Sequence, residues 1–457
     1  MLNFKLLIMF LINLSLGYGQ NVRMELDLAK LKVGSHSLLH TGYQYTRGLI
    51  ATNKVLALSE YSYFHDEFLT SDLPVGLLRL SVEQESKIYP KIQLSTESTA
   101  LTDENSSTQL KNGNFNIRYE ILNLKQYALT AATYHTIIQL KAKTEALSTK
   151  VRPSPMRFDL VIPKVLEPNY VNREIKLPID QISYYRSGFL FEVPFTTSIF
   201  HSMPIVADFN SINPSFDYTF SSGSSYYENK NVEVSKLQIH GGTMVNNTYS
   251  DLSTGTKRLW AISDVPIGNS SLIYYGFKIN EDYLQSSFLQ PGTYKTQINI
   301  QIKDETDVNI NQNQTMDVQI EIPEMTEFQL GTSSVSLELN SAENYLHGVH
   351  KDYSGHVLIS KNAPFQVTVR SNLSSLYFND SEIPVSNISI GPSSEDPRIN
   401  QIAELSVEPQ VLIHSGQGII DGSYNIRYSI RPSAAHQLIH VEKGRYTGLI
   451  TYSITAL

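Results

Sequence analysis

The stretch Lys443-Gly444-Arg445-Tyr446-Thr447-Gly448-Leu449-Ile450-Thr451-Tyr452-Ser453-Ile454-Thr455-Ala456-Leu457 decides the fold. From Tyr446 on, Tyr446, Gly448, Ile450, Tyr452, Ile454 and Ala456 take one side of a period-two pattern. Mainly hydroxyl residues (Thr447, Thr451, Ser453, Thr455) take the other, with Leu449 and Leu457 as exceptions. Successive side chains of a strand point to opposite faces, so this reads as a half-buried β-strand. The same device occurs twice upstream. Pro291-Gly292-Thr293-Tyr294 leads Thr296, Ile298, Ile300 and Ile302, and Ala132-Thr133-Tyr134 leads Thr136, Ile138 and Leu140. A small residue, a spacer and a tyrosine opening an alternating strand match the tyrosine corner of a Greek-key sandwich, whose phenol bonds back to the turn.

Each copy has an expected partner strand just before it. Asn116-Ile117-Arg118-Tyr119 recurs letter for letter as Asn425-Ile426-Arg427-Tyr428, and Ile273-Tyr274-Tyr275 takes the middle place. The corner tyrosines stand 160 residues apart (134 to 294) and 152 apart (294 to 446). That is a domain length, whereas solenoid units run roughly 20–50 residues. The reading is all-β, with three tandem immunoglobulin-like Greek-key β-sandwiches; ordinary strands in one large β protein are the alternative.

A chain of 457 residues is too long for one core and suits about three domains. Tyr 27 against Trp 1, with abundant Thr, Ser, Ile and Val, favours strands. Residues 1–19 read as a secretory leader: Lys5 in the n-region, Leu6 to Leu16 apolar, and Gly17-Tyr18-Gly19 as a small-x-small cleavage site. No other segment approaches about 20 apolar residues, so no transmembrane segment is expected in the mature chain. The net charge of −8 becomes −9 without Lys5, which gives no support to nucleic-acid binding. Cysteine is absent, which removes disulfides, thiol nucleophiles and a lipidated cysteine. An exported chain without disulfides points to a bacterial source, since extracellular immunoglobulin domains usually add them.

The expected domains are 20–165, 166–323 and 324–457, with the first boundary over Pro163 to Pro168. Met156 to Ile162 and Met316 to Ile322 are matching alternating runs, each ending in Ile-Pro. Pro there breaks a ladder and marks a linker. In the third domain Val335 to Leu339, Val357 to Ser360 and Phe365 to Val369 are expected strands. The first two closing strands are each followed by a further run, whereas the third stops at Leu457. The alignment therefore leaves the last sandwich one strand short, with an exposed edge beside an apolar groove at Tyr446, Ile450, Tyr452 and Ile454. Such an edge is a site for strand addition.

The residues Ala363-Pro364-Phe365-Gln366-Val367-Thr368-Val369, followed by the closing Lys443 to Tyr452 run, resemble bacterial pilin-type immunoglobulin-like domains of the spore-coat-U and archaic chaperone–usher kind. The resemblance covers roughly the last 130 residues. It implies a final Gly-x-Tyr strand and a missing seventh strand that a neighbouring subunit or a chaperone supplies. Recognition domains ahead of a pilin-like domain are similar to a fimbrial tip adhesin. Two departures stand out: members commonly carry a disulfide, and ordinary pilins are single domains.

Chemistry is sparse. His347, His350 and His356 near Asp352 could approach a metal only if the hairpin gathers them, and Asp304 to Asn311 lacks the ordered calcium-loop pattern. No Gly-x-Ser-x-Gly or phosphate-binding glycine loop occurs, and His414-Ser415 has no evident orienting carboxylate. Paired carboxylates for glycoside hydrolysis need no local motif, but tandem small sandwiches rarely form a deep cleft. The chain is read as non-enzymatic, without cofactor or metal. Tyr184, Tyr185, Tyr226 and Tyr227, with Phe216, Tyr218 and Phe220 nearby, offer aromatic faces for a glycan or protein. The last three equally fit core positions of a strand. The expected function is an exported surface or fimbrial adhesin, with domains one and two presenting loops to a host or environmental glycan or protein. Its assembly partners are a neighbouring fimbrial subunit, chaperone or usher. The alternative is a carbohydrate-binding or periplasmic binding protein with self-contained sandwiches.

Overall fold

A computed structural model describes residues 21–48, 54–66, 70–102, 110–142, 150–170, 173–220, 230–243 and 248–457. The expected leader, with Tyr226 and Tyr227, lies outside them.

The first sandwich contains β1 (Val22–Glu25), α1 (Leu28–Val33), β2 (His36–Thr46), β3 (Val55–Ser59), β4 (Leu78–Gln84), β5 (Gly113–Ile121), β6 (Ala132–Ala142) and β7 (Met156–Ile162). One sheet runs β1-β7-β6-β3, with β1 parallel to β7, and the other runs β2-β5-β4. The second sandwich repeats the plan with β8 (Leu166–Tyr170), β9 (Glu174–Pro178), α2 (Tyr184–Ser187), β10 (Phe189–His201), β11 (Ile205–Ser211), β12 (Lys257–Ile262), β13 (Ser270–Ile279), α3 (Glu281–Ser286), β14 (Gly292–Asp304) and β15 (Asn311–Ile322). Its sheets run β9-β15-β14-β11-β12 and β8-β10-β13, and β9 is again parallel to β15. The third contains β16 (Thr326–Leu330), α4 (Ala342–His347), β17 (Val349–Lys361), β18 (Phe365–Ser371), β19 (Gln410–Ser415), β20 (Ile419–Ile430), α5 (Pro432–Gln437) and β21 (Ile450–Ala456). Its sheets run β16-β17-β20 and β19-β18-β21.

Each sandwich closes over its own cluster of buried apolar side chains. Strand β14 shows why. Tyr294, Thr296, Ile298, Ile300 and Ile302 are buried, while Lys295 and Gln297 between them face solvent. Removing an aliphatic side chain of this size from water contributes about 1.5–3 kcal/mol. The recurrent Asn-Ile-Arg-Tyr strands do not pair with the closing strands that follow them. β5 and β6 lie in opposite sheets, as do β20 and β21, so each connection crosses the core. The linker is shorter than Pro163 to Pro168: Pro168 already pairs with Ile199 inside β8. As an edge strand, β8 has a side that needs no donor, which tolerates proline.

All three tyrosine corners form. The Tyr134 hydroxyl donates to the Thr130 carbonyl at 2.9 Å, Tyr294 to Gln290 at 2.8 Å and Tyr446 to Glu442 at 2.9 Å. Tyr294 is fully buried, whereas Tyr446 is half-buried. A buried carbonyl left without its donor costs more than one that water reaches. Tyr294→Phe is therefore expected to cost about 1–2 kcal/mol, and Tyr446→Phe less than half as much. Urea unfolding of the two variants checks the ratio.

The linkers are held alike. Ser202 Oγ donates to the Pro163 carbonyl at 2.8 Å and accepts from Val165 N–H at 2.9 Å. Asn362 does the same across the second joint, with Pro323 at 2.8 Å and Met325 N–H at 2.7 Å. Lys164 pairs with Asp304 at 2.5 Å. Arg186 binds Glu327 and Asp421 of the next sandwich at 2.7 and 2.8 Å. The Arg186 pairs are solvent-exposed, so Arg186→Ala is expected to cost no more than about 1 kcal/mol. Its readout is faster proteolysis at residues 323–325 with little change in unfolding midpoint.

Candidate functional site

In the first two sandwiches the closing strand is flanked on both sides. β6 runs between β7 and β3, and β14 between β15 and β11. The register is the same in both: Tyr134 faces Leu160 and Ile138 faces Met156, while Tyr294 faces Ile320 and Ile298 faces Met316. The inward side chains of β7 (Met156, Phe158, Leu160, Ile162) and of β15 (Met316, Val318, Ile320, Ile322) are at most 3% exposed.

β21 is different. Among the described residues its only ladder neighbour is β18. Ile450, Tyr452 and Ile454 hold the positions of Ile298, Ile300 and Ile302, yet they are only half-buried. Their inner surfaces still touch the core. The expected strand from Tyr446 begins only at Ile450; among the described residues a single bridge, from Thr447 to Tyr377, pairs residues 446–449.

The opposite wall carries the same mark. Val335, Leu337 and Leu339 stand as far before Gly348 as Ile175, Leu177 and Ile179 stand before Gly188. The latter three are at most 3% exposed, and Ile175 and Leu177 lie in β9, paired in parallel with β15. Val335, Leu337 and Leu339 alternate as expected but are half-buried and form no strand. Among the described residues they have no ladder partner.

Polar groups lie under β21. The Tyr452 hydroxyl bonds that of Tyr428, which also bonds His356 Nε2 at 2.8 Å. In the first sandwich the matching hydroxyl, Tyr119, bonds Tyr43 at 2.7 Å and lies 3.3 Å from Met156 Sδ of β7. There the flanking strand lays a thioether over the tyrosines. Burial pushes the Tyr428 hydroxyl up to about 12 and holds His356 below the usual imidazole range.

Of the expected recognition tyrosines only Tyr184 and Tyr185 lie among the described residues, and Tyr185 is not exposed as that reading requires. Tyr185 is fully buried and donates to the Phe288 carbonyl at 3.1 Å, because the short helix α2 turns it into the core. Tyr184 is half-buried, edge-on to Phe189 at 5.1 Å. Phe216 packs on Phe288, and Tyr218 on Tyr294. No group of three or more His, Cys, Asp or Glu among the described residues could hold a metal. No helix among them is long and apolar enough to cross a membrane.

Solved structures similar to the chain include pilus tip adhesins. The chaperone–tip adhesion subunit complex of CsuC and CsuE, from the archaic chaperone-usher Csu pili of Acinetobacter baumannii, matches at 12% identity. That match covers 63% of this chain and 99% of the other, with a TM-score of 0.33. CfaE, the adhesive subunit of CFA/I fimbria of enterotoxigenic Escherichia coli, matches at 9% identity over 67% and 98% of the two chains, with a TM-score of 0.29. The cadherin domains of protocadherin gamma B7 match at 10% identity over 96% and 75%, with a TM-score of 0.22. No family model matches the chain. No curated protein matches it either.

Proposed function

We propose that the chain is an exported, adhesin-like surface protein whose third sandwich accepts a β-strand from a partner subunit or chaperone. The first two sandwiches present loops to a glycan or protein ligand, and the protein performs no catalysis. The observation that carries this reading is the half-burial of Ile450, Tyr452 and Ile454 and of Val335, Leu337 and Leu339, against full burial of their counterparts beside β15. A strand laid between them would bury both rows and extend two walls at once, which is the physics of β-augmentation. By the register of the second sandwich, a donor antiparallel to β21 sets a Met316-like residue opposite Ile450 and an Ile320-like residue opposite Tyr446.

The test is titration of the full chain with a peptide of residues 312–322. Saturable one-to-one binding, lost when Met316 and Ile320 of the peptide are changed to Asp, is expected. No binding would return the third sandwich to a self-contained module.

A further inference from the structure

The first two sandwiches are each capped by the next one at the pole that carries their short helices. α1, α2 and α4 end at Gly34, Gly188 and Gly348, with φ of 79°, 82° and 76°. Two residues before these glycines stand Lys32, Arg186 and Leu346. Lys32 pairs with Glu167, the second residue of β8, and Arg186 with Glu327, the second residue of β16. Apolar groups follow the ion pair at each joint. Val165 and Phe200 pack on the first core, and Met325 and Ile420 on the second. The same pole therefore receives the same part of its neighbour twice.

The third sandwich has this pole too. α4 packs on α5 as α2 packs on α3. A Cβ at Gly348 would meet the Ile430 carbonyl, as one at Gly188 would meet that of Ile279. No described residue of a following domain covers it. Leu346 is 55% and Ile439 43% exposed. Lys443 ties the two sides together, donating to the Tyr345 hydroxyl and the Ile439 carbonyl, both at 3.0 Å. Leucine stands where the inner joints carry a cation.

We infer that this pole docks the entry linker and first strand of a further β-sandwich domain, through an apolar contact at Leu346 where the inner joints use an ion pair. The inference rests on the strand-acceptor reading and adds to it the shape of the partner beyond its donor strand. Continuity identifies the occupant: β7 and β15 each run through a three-residue linker into the next sandwich's first strand. A strand filling the same position beside β21 emerges at the same pole. The partner carries an apolar residue where this chain has Glu167 and Glu327. A second copy offers no free equivalent of this entry strand, since its Glu167 and Glu327 already pair with its own Lys32 and Arg186.

Three peptides separate the two readings on the full chain: residues 312–322, residues 312–330, and residues 312–330 with Glu327→Leu. The third is expected to bind about tenfold tighter than the first, and the second within about twofold of it. In Leu346→Arg the preference between the two long peptides reverses, and the short peptide binds as before. Equal binding of all three, or a Leu346→Arg effect on all three alike, overturns the inference and leaves the groove intact. Failure of every peptide overturns both. Self-association of the chain that Leu346→Arg abolishes, without a gain for the third peptide, assigns the pole to a second copy and also overturns it.

Discussion

Extending the full chain beyond Leu457 with a copy of residues 306–322 is expected to raise the unfolding midpoint of the third sandwich by on the order of 10–20 °C. Aligned on the corner tyrosines, Leu457 holds the place of Glu305, so the added hairpin returns in the register of β14 and β15. The copied Met316 then faces Ile450, and the copied Ile320 faces Tyr446. The gain comes from two sources. The half-buried rows at Ile450 to Ile454 and Val335 to Leu339 lose their remaining contact with water, at about 25 cal/mol for each Å² of apolar surface. The edge of β21 away from β18 also gains a ladder. A net gain of about 4 kcal/mol is enough for the shift in a domain of this size. Scanning calorimetry should show the third transition moving while the other two stay. Changing the copied Met316 to Asp should return it to the parent value.

Lys164→Met is expected to destabilise the joint between the first two sandwiches by about 2–4 kcal/mol at pH 7. The Asp304 side chain is fully buried and accepts from Thr306 N–H at 2.8 Å, the Thr306 hydroxyl at 2.9 Å and Lys164 Nζ at 2.5 Å. Burial works to raise the carboxyl's pKa, but the Lys164 ammonium and the Thr306 donors outweigh it and hold it below the usual range. A carboxylate depressed in the folded state stabilises above its unfolded pKa, about 3.9, and that contribution is lost as pH falls through the folded value. Without Lys164 the ionised carboxyl keeps only the Thr306 donors against the cost of burial. The gap between parent and variant should therefore be widest near pH 7 and narrow as pH falls through about 4. Urea unfolding at pH 7 and pH 3.5 checks it; a gap that is absent at pH 7, or unchanged at pH 3.5, contradicts the assignment.

Period-two alternation carried most of the architecture because a sheet with one wet face writes its burial into every second residue. Tyr294 to Ile302 shows this most clearly, and the three corner tyrosines mark the chain's repeat without any ligand or cofactor to help. The same pattern misled at Val335 to Leu339. Alternation reports which face is apolar, while a strand also needs a neighbour in register, and that neighbour is a distant segment. Tyr184 and Tyr185 illustrate the opposite failure. Adjacent residues on a strand point to opposite sides, but on the short helix α2 Tyr185 turns fully inward, and nothing in a four-residue helix distinguishes it beforehand. Strand counting alone puts Tyr446, Ile450, Tyr452 and Ile454 on one face, and Ile450, Tyr452 and Ile454 are half-buried there. The pole at Leu346 was not legible in the sequence. Its equivalence to Lys32 and Arg186 rests on a single glycine in each copy, and becomes visible only when the joints are seen in space.

Native-state hydrogen exchange on the full chain addresses the open edge most directly. In β14, flanked by β15 and β11, the backbone amides should be protected throughout. In β21 the amides bonded to β18 should be protected, and the alternate amides facing the empty side should exchange faster by orders of magnitude. Adding the peptide of residues 312–322 should close that difference. Uniform protection of β21 before any strand is added would mean its outer edge is already satisfied, and the third sandwich would then be complete as it stands.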